Sequence, residues 1–261
     1  MIMLTKIRRL TLKKKNKSKI VCLTAYSKNI AEEIDRQADL ILVGDSLGSV
    51  LYNYDTTRKV NLKMMIEHSK SVRKGVKKSL MIVDMPFDTY KNKSQALKNC
   101  KKVLKETKCD GIKLEGGREL NNIIKYLINN KIPVMGHIGI TPQTIRGKYR
   151  YKGRTAFEKK KLLKDSKSLE EAGVFAIVLE CIERKLSQEI TKTIKIPTIG
   201  IGSSKYCDGQ ILVTDDFLGL TNSKMKFVKK YINLKKNIRK AVKKFQTDVK
   251  NGSYPSIKYS Y

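Results

Sequence analysis

Short apolar, β-branched runs recur along the chain, with amphipathic stretches between them. The runs are Ile20–Ala25, Leu40–Gly44, Leu80–Asp84, Gly111–Glu115, Ile132–His137, Phe175–Glu180, Ile196–Ile201 and Gln210–Asp215. Apolar runs of this length suit strands buried on both faces, as in parallel sheets. The stretches between them carry apolar residues at helical spacing: Ser27–Ala38, Asn61–Lys78, Ser94–Thr107, Glu119–Asn130, Thr155–Ala172, the shorter Glu183–Ile194, and Lys226–Lys250. Thr155 and Glu158 stand at capping-box spacing, and Asn251-Gly252 is a natural stop. Strand and helix alternate throughout, which predicts an all-parallel α/β sheet. Eight strands at a mean spacing of about 33 residues favour a closed (β/α)8 TIM barrel over an open sheet. One unit is irregular: between Ile201 and Gln210 a loop must replace the helix. A single domain spanning 1–261 is expected, with residues 1–19 as a basic N-terminal arm or extra helix.

The composition narrows the class. With 261 residues and 40% apolar side chains the chain can bury a sizeable core. No apolar run approaches the roughly 18–20 residues that cross a bilayer, so no membrane partner is expected. The first 20 residues lack a long apolar core and a small-residue cleavage site, so no secretory signal is expected. Cys22, Cys100, Cys109, Cys181 and Cys207 are odd in number, scattered, and form no CxxC pair. This argues against disulfides or a zinc site and for a reducing, cytoplasmic setting. Lys plus Arg is 56 against 24 Asp plus Glu, a formal charge of +32. Such a field attracts nucleic acid. The lysines, however, are spread over nearly every helix, and no interleaved stacking aromatics or binding module accompany them. A lysine-rich surface is the simpler reading, with no nucleic-acid partner.

In a barrel the active site gathers at the C-terminal ends of the strands. Here LILVG leads into Asp45-Ser46, and LMIVD ends on Asp84. GIKLE places Lys113 and Glu115 on one strand face. IPVMGH ends on His137, FAIVLE on Glu180, and the eighth run on Asp215. Each has a plainer explanation. An Asp after a strand is often only a helix N-cap. A lone His is usually structural, Lys113 and Glu115 can be a simple ion pair, Glu180 can cap the next helix, and Asp215 can cap a turn. The joint pattern is harder to dismiss. Three carboxylates buried in one mouth raise each other's pKa unless a cation compensates. Asp45, Asp84 and Glu115 are hard oxygen donors that suit Mg2+. A 2-oxo acid would chelate such an ion, which stabilises an enolate. Lys113 can neutralise the substrate, His137 can donate a hydrogen bond to its carboxylate, and Glu180 can remove the proton beside the carbonyl. The residue chemistry therefore points to metal-assisted enolisation of a 2-oxo acid, followed by carbon–carbon bond formation or cleavage.

At these residues the sequence resembles the ketopantoate hydroxymethyltransferase family, from about Thr24 to Pro255. The motifs are LTAY (23–26), ILVGDSLG (41–48), YDTT (54–57), HSKSVRKG (68–75), VDMPF (83–87), IKLEGG (112–117), PVMGHIGITPQ (133–143), KGR (152–154), VLEC (178–181), IPTIGIG (196–202) and CDGQILV (207–213). The resemblance implies a TIM barrel of the phosphoenolpyruvate/pyruvate superfamily type. It implies transfer of a hydroxymethyl group from 5,10-methylenetetrahydrofolate to 3-methyl-2-oxobutanoate, giving 2-dehydropantoate in pantothenate and coenzyme A synthesis, with Mg2+. By motif, Asp45, Asp84 and Glu115 would be the metal-linked carboxylates. Asp45, Ser46, Asp84 and Lys113 would contact the oxo acid, Glu180 would accept the proton, and His137 would line the pocket. A homo-oligomer, typically a decamer of pentameric rings, is implied as well. Lys152, Ser203-Ser204, Asp88 and Ser27 depart from the usual family residues, and none is a proposed ligand or the base. Two other classes compete: a related lyase or phosphonomutase-type enzyme, often using a Cys nucleophile, and a basic nucleic-acid-binding protein.

Overall fold

Eight parallel strands pair in sequence order and the last closes on the first, forming the expected barrel. They are β1 (Ile20–Thr24), β2 (Leu40–Val43), β3 (Leu80–Asp84), β4 (Gly111–Glu115), β5 (Val134–Gly139), β6 (Ala176–Glu180), β7 (Thr198–Ile201) and β8 (Gly209–Leu212). The structure, a computed structural model, describes residues 2–144 and 150–261. These divide into two units, Met1–Val213 and Thr214–Tyr261.

In the first unit the helices are α1 (Ile2–Lys15), α2 (Lys28–Ile34), α3 (Leu47–Tyr52), α4 (Leu62–Gly75), α5 (Lys93–Thr107), α6 (Asn121–Asn129), α7 (Ala156–Ala172) and α8 (Arg184–Thr193). The basic N-terminal segment is a helix, and a loop joins β7 to β8 as expected. Thr155 does cap α7, its hydroxyl accepting from the Glu158 N–H at 3.1 Å. The Glu158 carboxylate turns instead to the N–H groups of Gly153 and Arg154. Three elements differ from the pattern-based expectation. The helix predicted from Ser27 stops at Ile34, because the Asp35 carboxylate accepts the backbone N–H groups of Lys77, Lys78 and Ser79. Asn92, not Ser94, caps α5 by accepting from Gln95 N–H. The short α3 is an addition, too brief to show a periodicity.

Most strands are covered on both sides, although Val21 of β1 and Gln210 of β8 are exposed. Outward residues such as Ile41, Val43, Met81, Val83, Ile112, Leu114, Ile177 and Leu179 pack into one apolar cluster with the helices. Inward residues Cys22, Leu40, Leu42, Leu80, Ile82, Met135, Ala176, Val178, Ile199 and Ile211 form a second, the barrel filling. Burying such a side chain contributes roughly 1.5–3 kcal/mol, so both faces specify the register. Leu10 of α1 joins the inner cluster and closes the end from which the strands start. Three α1 lysines anchor there. Lys6, Lys13 and Lys14 pair with Asp110, Asp39 and Asp208, each of which precedes a strand. The same aspartates accept N–H groups from Met81, Val21 and Thr198 of neighbouring strands. Part of the lysine excess is thus structural.

The second unit holds a one-turn α9 (Thr214–Phe217) and α10 (Leu234–Lys250). The helix predicted from Lys226 begins only at Leu234, where the Asn233 side chain accepts from Lys236 N–H. Phe217 and Tyr231 meet edge to face at 5.9 Å. α10 buries no residue, and Ile238, Val242, Phe245 and Val249 are exposed along one side. Among the described residues, no helix is long and apolar enough to cross a membrane.

Candidate active site

The two-residue period of a strand sets polar side chains above apolar ones in the same inward column. Leu80 and Ile82 lie below Asp84, Met135 below His137, and Ala176 and Val178 below Glu180. On β4, Lys113 and Glu115 both take inward positions. Strand register then pairs Asp84 with Lys113, Glu115 with His137, and Gly139 with Glu180. Asp45 and Ser46 stand just past β2. The mouth thus gathers every predicted site residue: Asp45, Ser46, Asp84, Lys113, Glu115, His137 and Glu180. Asp45, Asp84, Lys113, Glu115 and His137 are each at most 4% exposed, while Ser46 is half-buried.

Lys113 Nζ stands between two carboxylates, 2.7 Å from Asp84 Oδ1 and 3.6 Å from Glu115 Oε1. His137 Nδ1 lies 3.4 Å from Glu115 Oε1, and its Nε2 lies 3.2 Å from Glu180 Oε2. The Asp45 N–H donates to Asp84 Oδ2 at 3.1 Å. Ser46 Oγ shares a 2.8 Å hydrogen bond with Tyr26 OH. His68 Nδ1 donates to the Tyr26 carbonyl at 2.7 Å, and its Nε2 faces Tyr52 OH.

Burial, then the charges of Glu115 and Asp84, push Asp45 well above the usual carboxylate range. Burial raises Asp84 as well, against the opposing charge of Lys113. Burial opposes the Lys113 ammonium, but Asp84, Glu115 and Asp45 outweigh it and hold the group protonated. Burial and Lys113 oppose the His137 imidazolium, yet Glu115 and Glu180 lift it to about 9. Burial works against ionised Glu115, but His137 and Lys113 more than compensate and lower it. The cluster gathers four carboxyl groups around one ammonium and one imidazolium, and the upward shifts of Asp45 and Asp84 reflect the cost of burying and crowding them.

Among the described residues, no three His, Cys, Asp or Glu side chains stand as a ready-made metal cluster. Lys113 sits between Asp84 and Glu115, and Gln143 Nε2 donates to Asp45 Oδ2 at 2.8 Å. The donor set still fits a hard divalent cation. It is all oxygen, its carboxyl groups outnumber the cationic groups beside them, and buried Asp84 Oδ1 receives no hydrogen bond of good geometry despite its ammonium neighbour.

The capping explanations fail for Asp45 and Glu180, whereas Lys113 and Glu115 do pair. Ser46, not Asp45, is the N-cap residue of α3. Glu183, not Glu180, caps α8, accepting from Lys185 and Leu186 N–H. Asp215 lies in the first turn of α9. Cys181, next to Glu180, has its thiol pushed up to about 12 by burial and by Glu180, which makes it a poor nucleophile. Gly139 has φ +105°, and a Cβ there would collide with the Glu180 carbonyl, so only glycine lets β5 approach the end of β6 so closely. Ser203 ties down the same corner by donating to Leu179 O and accepting from Ile182 N–H.

Gln143, Tyr90, Tyr26 and His68 also support the site, although no strand-end pattern marks them. Gln143 follows β5 by four residues, and Tyr90 follows β3 by six. No strand or helix period reaches into such loops. The available signals were motif positions alone: Gln143 closes PVMGHIGITPQ, Tyr26 closes LTAY and His68 opens HSKSVRKG.

A family model described as ketopantoate hydroxymethyltransferase matches residues 4–257. The 3-methyl-2-oxobutanoate hydroxymethyltransferase of Pelagibacter ubique (strain HTCC1062) is 61% identical over 250 residues, 96% of this chain and 97% of that protein. The enzyme of the same name from Helicobacter pylori (strain ATCC 700392 / 26695) is 48% identical over 251 residues, 95% and 93% of the two chains. Among solved structures, a phosphonopyruvate hydrolase aligns over 97% of this chain and 92% of its own, with TM-score 0.65 at 11% identity. A 2,3-dimethylmalate lyase described as a PEP mutase/isocitrate lyase superfamily member aligns over 93% and 88%, with TM-score 0.63 at 13% identity. Those two likenesses establish the barrel type, whereas the near end-to-end sequence match goes further: this chain is an enzyme of the ketopantoate hydroxymethyltransferase family.

Proposed function

We propose that this enzyme transfers a hydroxymethyl group, its carbon from 5,10-methylenetetrahydrofolate and its oxygen from water, to 3-methyl-2-oxobutanoate, giving 2-dehydropantoate for pantothenate synthesis and releasing tetrahydrofolate. The names of its relatives support the reaction. The observation that carries the mechanism is the meeting of Asp45, Asp84 and Glu115 beside Lys113, with Glu180 3.2 Å from His137 on the same mouth. Asp45 and Asp84, with Glu115 behind them, would hold a divalent cation such as Mg2+. When bound, that ion polarises the oxo acid's carbonyl and favours its enolate. Lys113 brings a permanent positive charge to the same oxygens. Ser46, braced by Tyr26, donates to the substrate. Glu180 takes the proton from C3, the step that makes the carbon nucleophilic. His137, with Nε2 3.2 Å from Glu180 Oε2, sets a positive charge beside that carboxylate and lines the pocket wall. The exposed apolar side of α10 suits the homo-oligomer that the family resemblance implies, and the reducing cysteine usage suits a cytoplasmic enzyme.

The test is deuterium exchange at C3 of 3-methyl-2-oxobutanoate, with Mg2+ and without the folate. Glu180→Gln should slow exchange by about 100-fold or more, while Mg2+ binding measured by calorimetry changes little. Exchange at the wild-type rate in that variant would show that another group is the base. Wild-type protein that turns over oxaloacetate-like acids, and not this oxo acid with the folate, would overturn the reaction itself.

A further inference from the structure

Gln143 is 1% exposed, and each of its polar side-chain atoms is engaged. Its Nε2 donates to Asp45 Oδ2 at 2.8 Å and to the Met85 carbonyl at 3.0 Å. Its Oε1 accepts from Tyr90 OH at 2.6 Å. Its backbone N–H donates to Glu115 Oε2 at 3.1 Å. One residue thus touches two of the three carboxylates that face the proposed cation, each through a single oxygen.

The polarity of the amide matters. Turned over, it would set Oε1 against the Asp45 carboxylate and the Met85 carbonyl, an arrangement of acceptors only, which is costly in a buried site. The Tyr90 hydroxyl favours the observed orientation by donating to Oε1 at 2.6 Å, its other acceptor, the Glu115 carbonyl, lying farther off at 3.4 Å. Burial, then the charge of Glu115, pushes the Tyr90 phenol above its ordinary value, so the donor stays protonated. The choice of an amide also matters. A lysine or arginine here would neutralise Asp45. A neutral donor fixes the carboxylate's rotation and leaves its charge free to attract a metal.

We propose that Gln143 is a positioning residue that sets Asp45 and Glu115 for the divalent cation, and that Tyr90 in turn sets the direction of the Gln143 amide. This rests on the cation reading given above. Held by two hydrogen bonds at one end and one at the other, the amide leaves Asp45 a single rotation. Without it the carboxylate must be ordered anew each time the ion binds, and affinity falls.

The experiment is a Mn2+ titration followed by electron paramagnetic resonance of the free ion, on full-length wild type, Gln143→Leu and Tyr90→Phe, with a thermal melt of each. Gln143→Leu should bind Mn2+ about 10–100-fold more weakly, the usual consequence of losing a partner of a metal-binding side chain. Tyr90→Phe should lose less, in the same direction. In both, the Mg2+ concentration at half-maximal rate should rise more than kcat falls. A purely structural role would lower the melting temperature and leave Mn2+ affinity unchanged. Gln143→Leu that melts as wild type and binds Mn2+ as wild type would overturn the proposal. If Gln143→Leu does not fold, Tyr90→Phe decides, and unaltered Mn2+ affinity there counts against it. Wild type that binds no Mn2+ would overturn the cation reading as well, so the two failures are distinguishable.

Discussion

Asp35 gathers three backbone N–H groups, from Lys77, Lys78 and Ser79, on one carboxylate. Burial alone would raise its pKa, but those donors outweigh it and hold the group below its usual range. A depressed folded-state value means stability that is present above the ordinary carboxylate pKa of about 4 and lost as pH falls through the folded value. Asp35→Ala should therefore cost about 1–3 kcal/mol at pH 7, where three donors lose their acceptor. Urea unfolding at pH 7 and pH 3 checks this, and the gap between variant and wild type should narrow at the lower pH. Nothing in the sequence pattern marked Asp35. It lay within a predicted helix, and only the approach of the segment before β3 gave it three donors. Asp84, Lys113, Glu115, His137 and Glu180 were different. They end recognisable strands, so their position in the chain already stated which end of a barrel they would occupy.

Elements show the same division. Most of the strands were legible because burial on both faces, which β2 to β6 show along nearly their whole length, demands continuous apolar residues. α7 was legible because Thr155 and Glu158 mark its start. α3 was not legible, since six residues are too few to display a helical period. The junction of β5 and β6 carries a constraint that belongs to the pair. Gly139 adopts φ +105° and lies against the Glu180 carbonyl, to which Ile140 N–H donates at 2.9 Å. Gly139→Ala strains the backbone and displaces that carbonyl, at a cost of about 1–3 kcal/mol. We expect a lower melting temperature and a kcat reduced more than the oxo acid KM is raised, because the displaced residue is the proposed base. Equal stability and kcat in the variant would show that the strand end can shift freely.

At the scale of the whole molecule, the formal charge of +32 looked like a property in search of a partner. Part of it is spent inside the fold, where Lys6, Lys13 and Lys14 hold α1 across the barrel base and Lys113 sits among buried carboxylates. The exposed Ile238 and Val242 of α10 point to another whole-molecule property. Apolar patches of this kind usually mark interfaces. If α10 meets further copies of the chain, Ile238→Lys with Val242→Lys should reduce the assembly to smaller species in light scattering, with an unchanged circular dichroism spectrum. An unaltered mass would place the interface elsewhere.

The order of apolar runs and the polar residues that close several of them were enough to specify a parallel barrel and the end at which its ionisable side chains meet, because strand periodicity and strand direction are properties of the chain alone. Which carboxylate faces which cation was another matter. The contacts of Lys113 with Asp84, of His137 with Glu180, and of Gln143 with Asp45 join residues from different βα units. Those distances arise only when the sheet closes and its register brings separate strands side by side.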